Sequence, residues 1–216
     1  MGNFSLADAA VTYLILLASL SVHEWAHAWS AGKLGDNTAR MMGRATLNPI
    51  PHMDPVGTVL LPAFFLLLSP GGVFFAWAKP VPVNPSNFAK PVRDDILVSM
   101  AGPFSNLLLA LGAAVLYGLV ARFGDPSAFQ DLFTKFLLIN ALLMVFNLIP
   151  VPPLDGSHVL RHLVGMKEET YLKFSQWGFL VLLGLLFLTP FPIFLWQGIL
   201  FVEDVCLRLS QLIAGG

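Results

Sequence analysis

Five consecutive residues, His23-Glu24-Trp25-Ala26-His27, place two imidazoles and a carboxylate at a spacing suited to metal-assisted hydrolysis. On a helix, positions 23 and 27 are i and i+4 and share one face. Neutral imidazole is a good zinc ligand. Glu24 sits beside the pair, where its carboxylate can take a proton from a water attacking a carbonyl. A plainer reading has these groups snorkelling at a membrane interface. It fits poorly with three ionisable side chains in five positions of an otherwise apolar helix, because such residues are costly in a bilayer and mark function.

A catalytic zinc site uses three protein ligands and one open position. The third ligand must come from elsewhere, and the candidates are His52, Asp54, Asp155, His158 and His162. Asp155 is favoured. It follows Asn147-Leu148-Ile149-Pro150-Val151-Pro152-Pro153-Leu154 and precedes Gly156. Those prolines break a helix and expose backbone polar groups at membrane depth, which is tolerated at buried or wet sites. The plainer role for Asp155 is an N-cap for the segment from Gly156 onward. His158 and His162 are also i and i+4, but no Glu adjoins them and Arg161 disfavours a bound cation, so they read as a cytoplasmic surface helix. His52 and Asp54 lie in the proline-rich loop 48–55, where turn-forming and interface roles fit, with an entrance role open to His52. The single cysteine, Cys206, can form neither an internal disulfide nor a thiolate metal site and reads as a small buried hydrophobe.

The elements that must position these groups are membrane spans. Of 216 residues, 56% are hydrophobic and only 12% are charged, about half the usual charged fraction of a soluble domain. Apolar runs of bilayer length cover about Leu6–Ser30, Asp95–Val120 and Leu132–Leu148, with shorter ones at Phe174–Leu188 and Ile193–Leu207. The stretch Val56–Val83 is apolar but is interrupted by Ser69-Pro70-Gly71-Gly72, which favours a turn. Either it crosses once or it dips in and returns.

Charge placement separates these alternatives. With a re-entrant hairpin and the N-terminus outside, Lys33, Arg40, Arg44, Lys79, Lys90, Arg93, Arg161, Lys167, Lys173 and Arg208 face the cytoplasm, and only Arg122 and Lys135 face out. That split obeys the positive-inside tendency better than a single crossing does. It also brings the end of the first span and the residues before Asp155 to the same, cytoplasmic side.

The expected fold is therefore an all-α polytopic membrane protein of about five transmembrane helices plus a re-entrant hairpin with short β-strands. It forms one domain over 1–216, with a core at about 6–165 and a C-terminal helical hairpin at about 172–210. A net charge of −1, with no broad basic patch, excludes nucleic acid as a partner. The N-terminus lacks the basic region of a secretory signal peptide, so the first span reads as retained structure.

These motifs resemble the site-2 protease family of intramembrane zinc metalloproteases. His23 to His27 matches the family's zinc helix. Asn147-Leu148-Ile149-Pro150 with Leu154-Asp155-Gly156 matches its second motif, and Ala101-Gly102-Pro103-Phe104-Ser105-Asn106 its small-residue motif. The layout is similar to the small prokaryotic branch without a PDZ domain, which implies the plasma membrane; the charge split and span parity put the N-terminus outside and the active site toward the cytoplasm.

The resemblance implies one Zn2+ per chain on His23, His27 and Asp155, with Glu24 as general base and Asn147 holding substrate or the oxyanion. Gly102 and Ser105 would let helices approach, and Asn106 and Asn140 would bond between helices. It also implies hydrolysis of peptide bonds in or near transmembrane segments, the substrate being a single-span membrane protein or a membrane-retained peptide. Phe74, Phe75, Ala76 and Trp77 would then offer a strand edge to substrate, ended by Pro80, Pro82 and Pro85, or else form a lipid-facing aromatic patch. Two rivals remain: a non-proteolytic membrane metal-binding protein or transporter, and an inactive scaffold that binds helices.

Overall fold

A computed structural model of the chain describes residues 6–68 and 76–215, with the backbone alone at 65–68. Among these residues are eight α-helices: α1 (Leu6–Lys33), α2 (Thr38–Met41), α3 (Leu61–Leu68), α4 (Pro91–Phe123), α5 (Gln130–Asn147), α6 (Gly156–Leu163), α7 (Glu168–Leu188) and α8 (Phe191–Ala214). Among the described residues, four segments are long and apolar enough to cross a membrane: α1, α4, Ser127–Asn147 and α7. The fifth expected span, Ile193–Leu207, lies within α8, whose second half carries Glu203, Asp204 and Arg208. Large apolar side chains point outward along the bundle, among them Leu116, Phe123, Leu188 and Phe201. Such a surface suits lipid, which leaves apolar side chains at no cost and demands that backbone groups bond internally, as helices do.

The central helix is α4, which packs against α1, α5, α6 and α8. Its Ala110, Ala114 and Gly118 follow one another at i+4 and form a small-residue stripe. A Cβ at Gly118 would lie 2.6 Å from the Ser210 carbonyl oxygen of α8, so the glycine sets how closely those helices approach. Phe133, Leu137 and Ala141 of α5 and Ile199, Val202 and Cys206 of α8 complete this core. Tyr117 stacks on Phe133 with ring centroids 4.2 Å apart. Cys206 is fully buried there.

The stretch 56–83 begins with a π-helical turn, Pro55–Leu60, that runs into α3. Asp54 starts it: one carboxylate oxygen accepts the Val56 and Gly57 N–H groups, and the Asp54 N–H donates to the Thr58 hydroxyl at 2.8 Å. This is the turn-forming role expected of Asp54. The turn at 69–72 and the edge residues Phe74 and Phe75 lie outside the described residues.

No β-strand occurs among the described residues, in contrast to the short strands expected from sequence. Ala76 and Trp77 belong to an irregular segment bound across its backbone. The Trp77 N–H donates to the Gly57 carbonyl at 3.3 Å, and the Thr58 hydroxyl donates to the Trp77 carbonyl at 2.8 Å. The Trp77 indole lies over Gly57, where any Cβ would come within 2.4 Å of the ring. Side-chain and single main-chain bonds thus take the place of a ladder.

Helix α1 runs three residues past its expected end, to Lys33, and is closed by Gly35 at φ +110°, with the Asp36 N–H donating to the Ala31 carbonyl. Asp36 is fully buried. Its carboxylate accepts the Thr38 N–H and hydroxyl, the Asn84 N–H at 2.7 Å and the Asn87 amide at 2.7 Å. Burial alone pushes its pKa up, but these hydroxyl and amide donors outweigh it and hold the carboxyl below its ordinary value.

A depressed folded pKa means that the stabilisation is fully present above the unfolded value of about 3.9 and is lost as pH falls through the folded one. Asp36→Ala is expected to cost on the order of 3 kcal/mol at neutral pH, and progressively less as the medium is acidified. Unfolding in detergent micelles across that range measures both. A loss independent of pH would contradict the assignment.

Candidate metal centre

Helix α1 turns His23 and His27 inward toward α4. Both imidazoles and Glu24 are buried. Gly102 of α4 makes the room: a Cβ there would lie 2.3 Å from His27 Nε2 and 2.6 Å from His23 Nε2. Any side chain at 102 would press on both nitrogens, and since the clashing atom rides on a helix backbone, it has little freedom to retreat.

Asp155 arrives from the far end of α5. The chain breaks after Asn147, passes Pro150, Pro152 and Pro153, and doubles back into α6. Gly156 permits the doubling, since a Cβ there would sit 2.2 Å from the Leu148 carbonyl oxygen. Helix α7 rests on this loop through Gly178, where a Cβ would be 2.2 Å from the Pro152 oxygen. Ile149 and Leu154 pack against Leu182 of α7. Asp155 occupies the N-cap position of α6 but makes no side-chain cap bond. Its carboxylate points at the histidines instead.

His23 Nε2 lies 3.1 Å from His27 Nε2 and 3.2 Å from Asp155 Oδ2, and His27 Nε2 lies 3.4 Å from Asp155 Oδ1. Ligands at 2.0–2.1 Å from a tetrahedral zinc are about 3.3 Å apart; the two imidazole nitrogens stand at such a separation, and the Asp155 carboxylate meets each of them at a similar distance through a different oxygen. The chemistry of the atoms agrees. His27 Nδ1 is 2.7 Å from the Val98 carbonyl oxygen, which only accepts, so Nδ1 carries the hydrogen and neutral His27 turns a bare lone pair toward Asp155. Asp155 Oδ2 is buried with no hydrogen-bond donor. Lone pairs facing one another in a buried space repel unless a cation lies between them, and these residues fit zinc.

Glu24 is not among the converging donor atoms. Its Oε2 accepts the Val81 N–H at 2.8 Å. Val81 lies between two prolines in a segment held from behind: the Lys79 N–H donates to the His52 carbonyl, and Arg44 donates to the Lys79 and Pro80 carbonyls. One oxygen of Glu24 is thereby anchored, and no other donor among the described residues reaches the carboxylate.

The remaining expected residues take other places. The Asn147 amide donates back to the Leu143 carbonyl at 2.9 Å, within its own helix. His52 is buried and bonds the Thr46 carbonyl through Nε2. His158 and His162 stay out of the metal centre and clasp the buried Asp95 of α4, their nitrogens 3.2 and 2.7 Å from its Oδ2. Sequence reasoning overlooked Asp95, treating it only as the start of a span. The signal was available: Asp95, Ser99, Gly102 and Asn106 recur at 4, 3 and 4 residues and form one polar, small-residue face along α4. The Val81 N–H had no signal, since every non-proline residue carries one.

The profile of Peptidase family M50 matches residues 125–189. YwhC of Bacillus subtilis is 40% identical over 212 residues, covering 93% of this chain and 92% of its own length. Rip2 of Mycolicibacterium smegmatis is 36% identical over 179 residues, covering 81% of this chain and 65% of its own. MJ0392 of Methanocaldococcus jannaschii is 26% identical over 169 residues, covering 77% and 38%. All three carry the name of a zinc metalloprotease. No solved structure matches the chain.

Proposed function

The chain belongs to Peptidase family M50 and is a zinc metalloprotease of the site-2 type, and from that premise we propose that His23, His27 and Asp155 hold its zinc while Glu24 is its general base. The observation that carries this reading is the convergence of two imidazole nitrogens 3.1 Å apart with a carboxylate from a loop beyond α5, whose oxygens lie 3.2 and 3.4 Å from them. A metal carrier would need the same donors, but it would have no use for a carboxylate beside them that is anchored by one oxygen.

Zinc, when bound, acts as a Lewis acid that polarises the scissile carbonyl and eases deprotonation of water. The residues do the rest. Glu24 takes the proton of the attacking water and passes it to the amine nitrogen as the C–N bond breaks, so water is consumed and one acid and one amine appear. The Val81 N–H keeps the carboxylate oriented during both transfers. Asn147 serves the developing oxyanion once its amide turns from the Leu143 carbonyl. The substrate is a single-span membrane protein or a membrane-retained peptide, unwound near its cleavage site.

The membrane arrangement that suits the charge distribution has the N-terminus outside, 56–83 re-entrant, α8 as a fifth crossing, and the metal centre toward the cytoplasm. Ala76 and Trp77 border the path of substrate.

The test is metal content paired with cleavage. The protein purified in detergent is expected to carry one zinc per chain and to cut a reconstituted single-span substrate. Chelation should stop cleavage, and added zinc should restore it. Cleavage that persists in metal-free protein would overturn the proposal.

A further inference from the structure

The two histidines face different kinds of acceptor. His27 Nδ1 meets the Val98 carbonyl, which has no hydrogen to offer. His23 Nδ1 meets the side chain of Asn106 at 2.7 Å. An amide has a donor end and an acceptor end of nearly equal size, so something else must decide which end faces the histidine.

The deciding contact is on another helix. Asn140 of α5 lies 2.9 Å from the Phe136 carbonyl oxygen. A carbonyl only accepts, so the Asn140 atom there is its NH2 group, whose second hydrogen goes to the Ser19 hydroxyl at 3.0 Å. The Asn140 oxygen is left facing Asn106 at 3.0 Å, and that Asn106 atom must then be its NH2 group. The Asn106 oxygen is left facing His23. An oxygen accepts, so His23 carries its hydrogen on Nδ1 and turns the Nε2 lone pair toward Asp155.

Ser19, Asn106 and Asn140 are at most 1% exposed. At that burial no solvent can repair a flipped amide, and either flip sets like ends against one another.

We infer that Asn140 and Asn106 are positioning residues that relay the polarity of the Phe136 carbonyl to His23, holding it in the tautomer that can bind zinc through Nε2. The inference rests on the reading of His23 and Asp155 as zinc ligands. Partners of this kind are worth about 10- to 100-fold in metal affinity.

The test compares Asn106→Leu, Asn106→Asp and Asn140→Leu with Asp155→Ala in the full chain in detergent. Three quantities are measured: zinc affinity by chelator competition, the visible spectrum of the cobalt-loaded protein, and thermal unfolding. Asn106→Leu is expected to weaken zinc by about 10- to 100-fold and Asn140→Leu by about 10-fold, each with an altered cobalt spectrum.

Asn106→Asp still offers an oxygen to His23 but sets it against the Asn140 oxygen. It should lose thermal stability while keeping zinc affinity and the parent spectrum, a split that mere packing would not produce. If Asn106→Leu fails to fold, Asn140→Leu and Asn106→Asp decide.

Parent affinity and spectrum in both leucine variants, with zinc lost in Asp155→Ala, overturns the relay alone. Loss of zinc in Asn106→Asp equal to that in Asn106→Leu, or equal to that in Asn140→Leu where Asn106→Leu does not fold, does the same. Parent affinity in Asp155→Ala overturns the ligand reading beneath it.

Discussion

Glu24→Gln is expected to lower kcat for a reconstituted single-span substrate by about 10²- to 10⁴-fold, the usual contribution of a positioned acid–base group, and to leave bound zinc unchanged. Glutamine has the same length and retains an oxygen, so it can still accept the Val81 N–H that meets Glu24 Oε2 at 2.8 Å. Packing at this buried position is therefore conserved. The ability to take and return a proton is what disappears. Zinc stays because Glu24 contributes no atom to the converging donors. Single-turnover cleavage together with metal analysis reads both halves. Activity within a few-fold of the parent would remove Glu24 from the role of base, and lost zinc would place it among the ligands.

Asp155→Ala should abolish cleavage by a different route. It leaves two imidazoles where a catalytic zinc needs three protein ligands. Zinc affinity should fall by more than the roughly 10- to 100-fold that loss of an outer hydrogen-bond partner costs. The metal-free fold should not suffer. Asp155 makes no cap bond to α6, and its Oδ2 is buried without a donor. Removing a partly buried carboxylate, one oxygen of which is buried without a partner, relieves a desolvation cost and a repulsion from the neutral imidazoles. Thermal unfolding of the metal-free variant should thus match or exceed that of the metal-free parent, while zinc competition shows the loss. Tight zinc binding by this variant would exclude Asp155 from the site.

Two kinds of physical information are involved. Four of the five expected spans, and the helix that carries His23 and His27, were legible because both rest on local rules. An apolar run of bilayer length has few alternatives to a helix, and i, i+4 spacing puts His23 and His27 on one face wherever that helix lies. The expected boundaries differ from those observed by up to seven residues, from Ser30 against Lys33 to Leu207 against Ala214, because helix ends depend on local turns such as that at Gly35. No strand occurs among the described residues of 56–83, where Gly57 and Thr58 bond the Trp77 backbone groups; much of the expected edge falls on 69–75, outside the described residues.

The sequence by itself determined that this protein lives in a membrane and that one helix carries two imidazoles and a carboxylate on neighbouring positions, and it favoured Asp155, at the end of a proline-broken segment, among five candidates for a third donor. Only the tertiary structure decided which atoms meet. The approach of Gly102 to both imidazoles, the Val81 N–H on Glu24, the clasp of His158 and His162 on Asp95, and the amide polarity running from Phe136 to His23 each join residues from different elements. Composition and periodicity say which face a residue occupies. They carry no information about the direction of a hydrogen bond between helices, because an asparagine presents a donor and an acceptor alike until a neighbour that can only accept chooses between them.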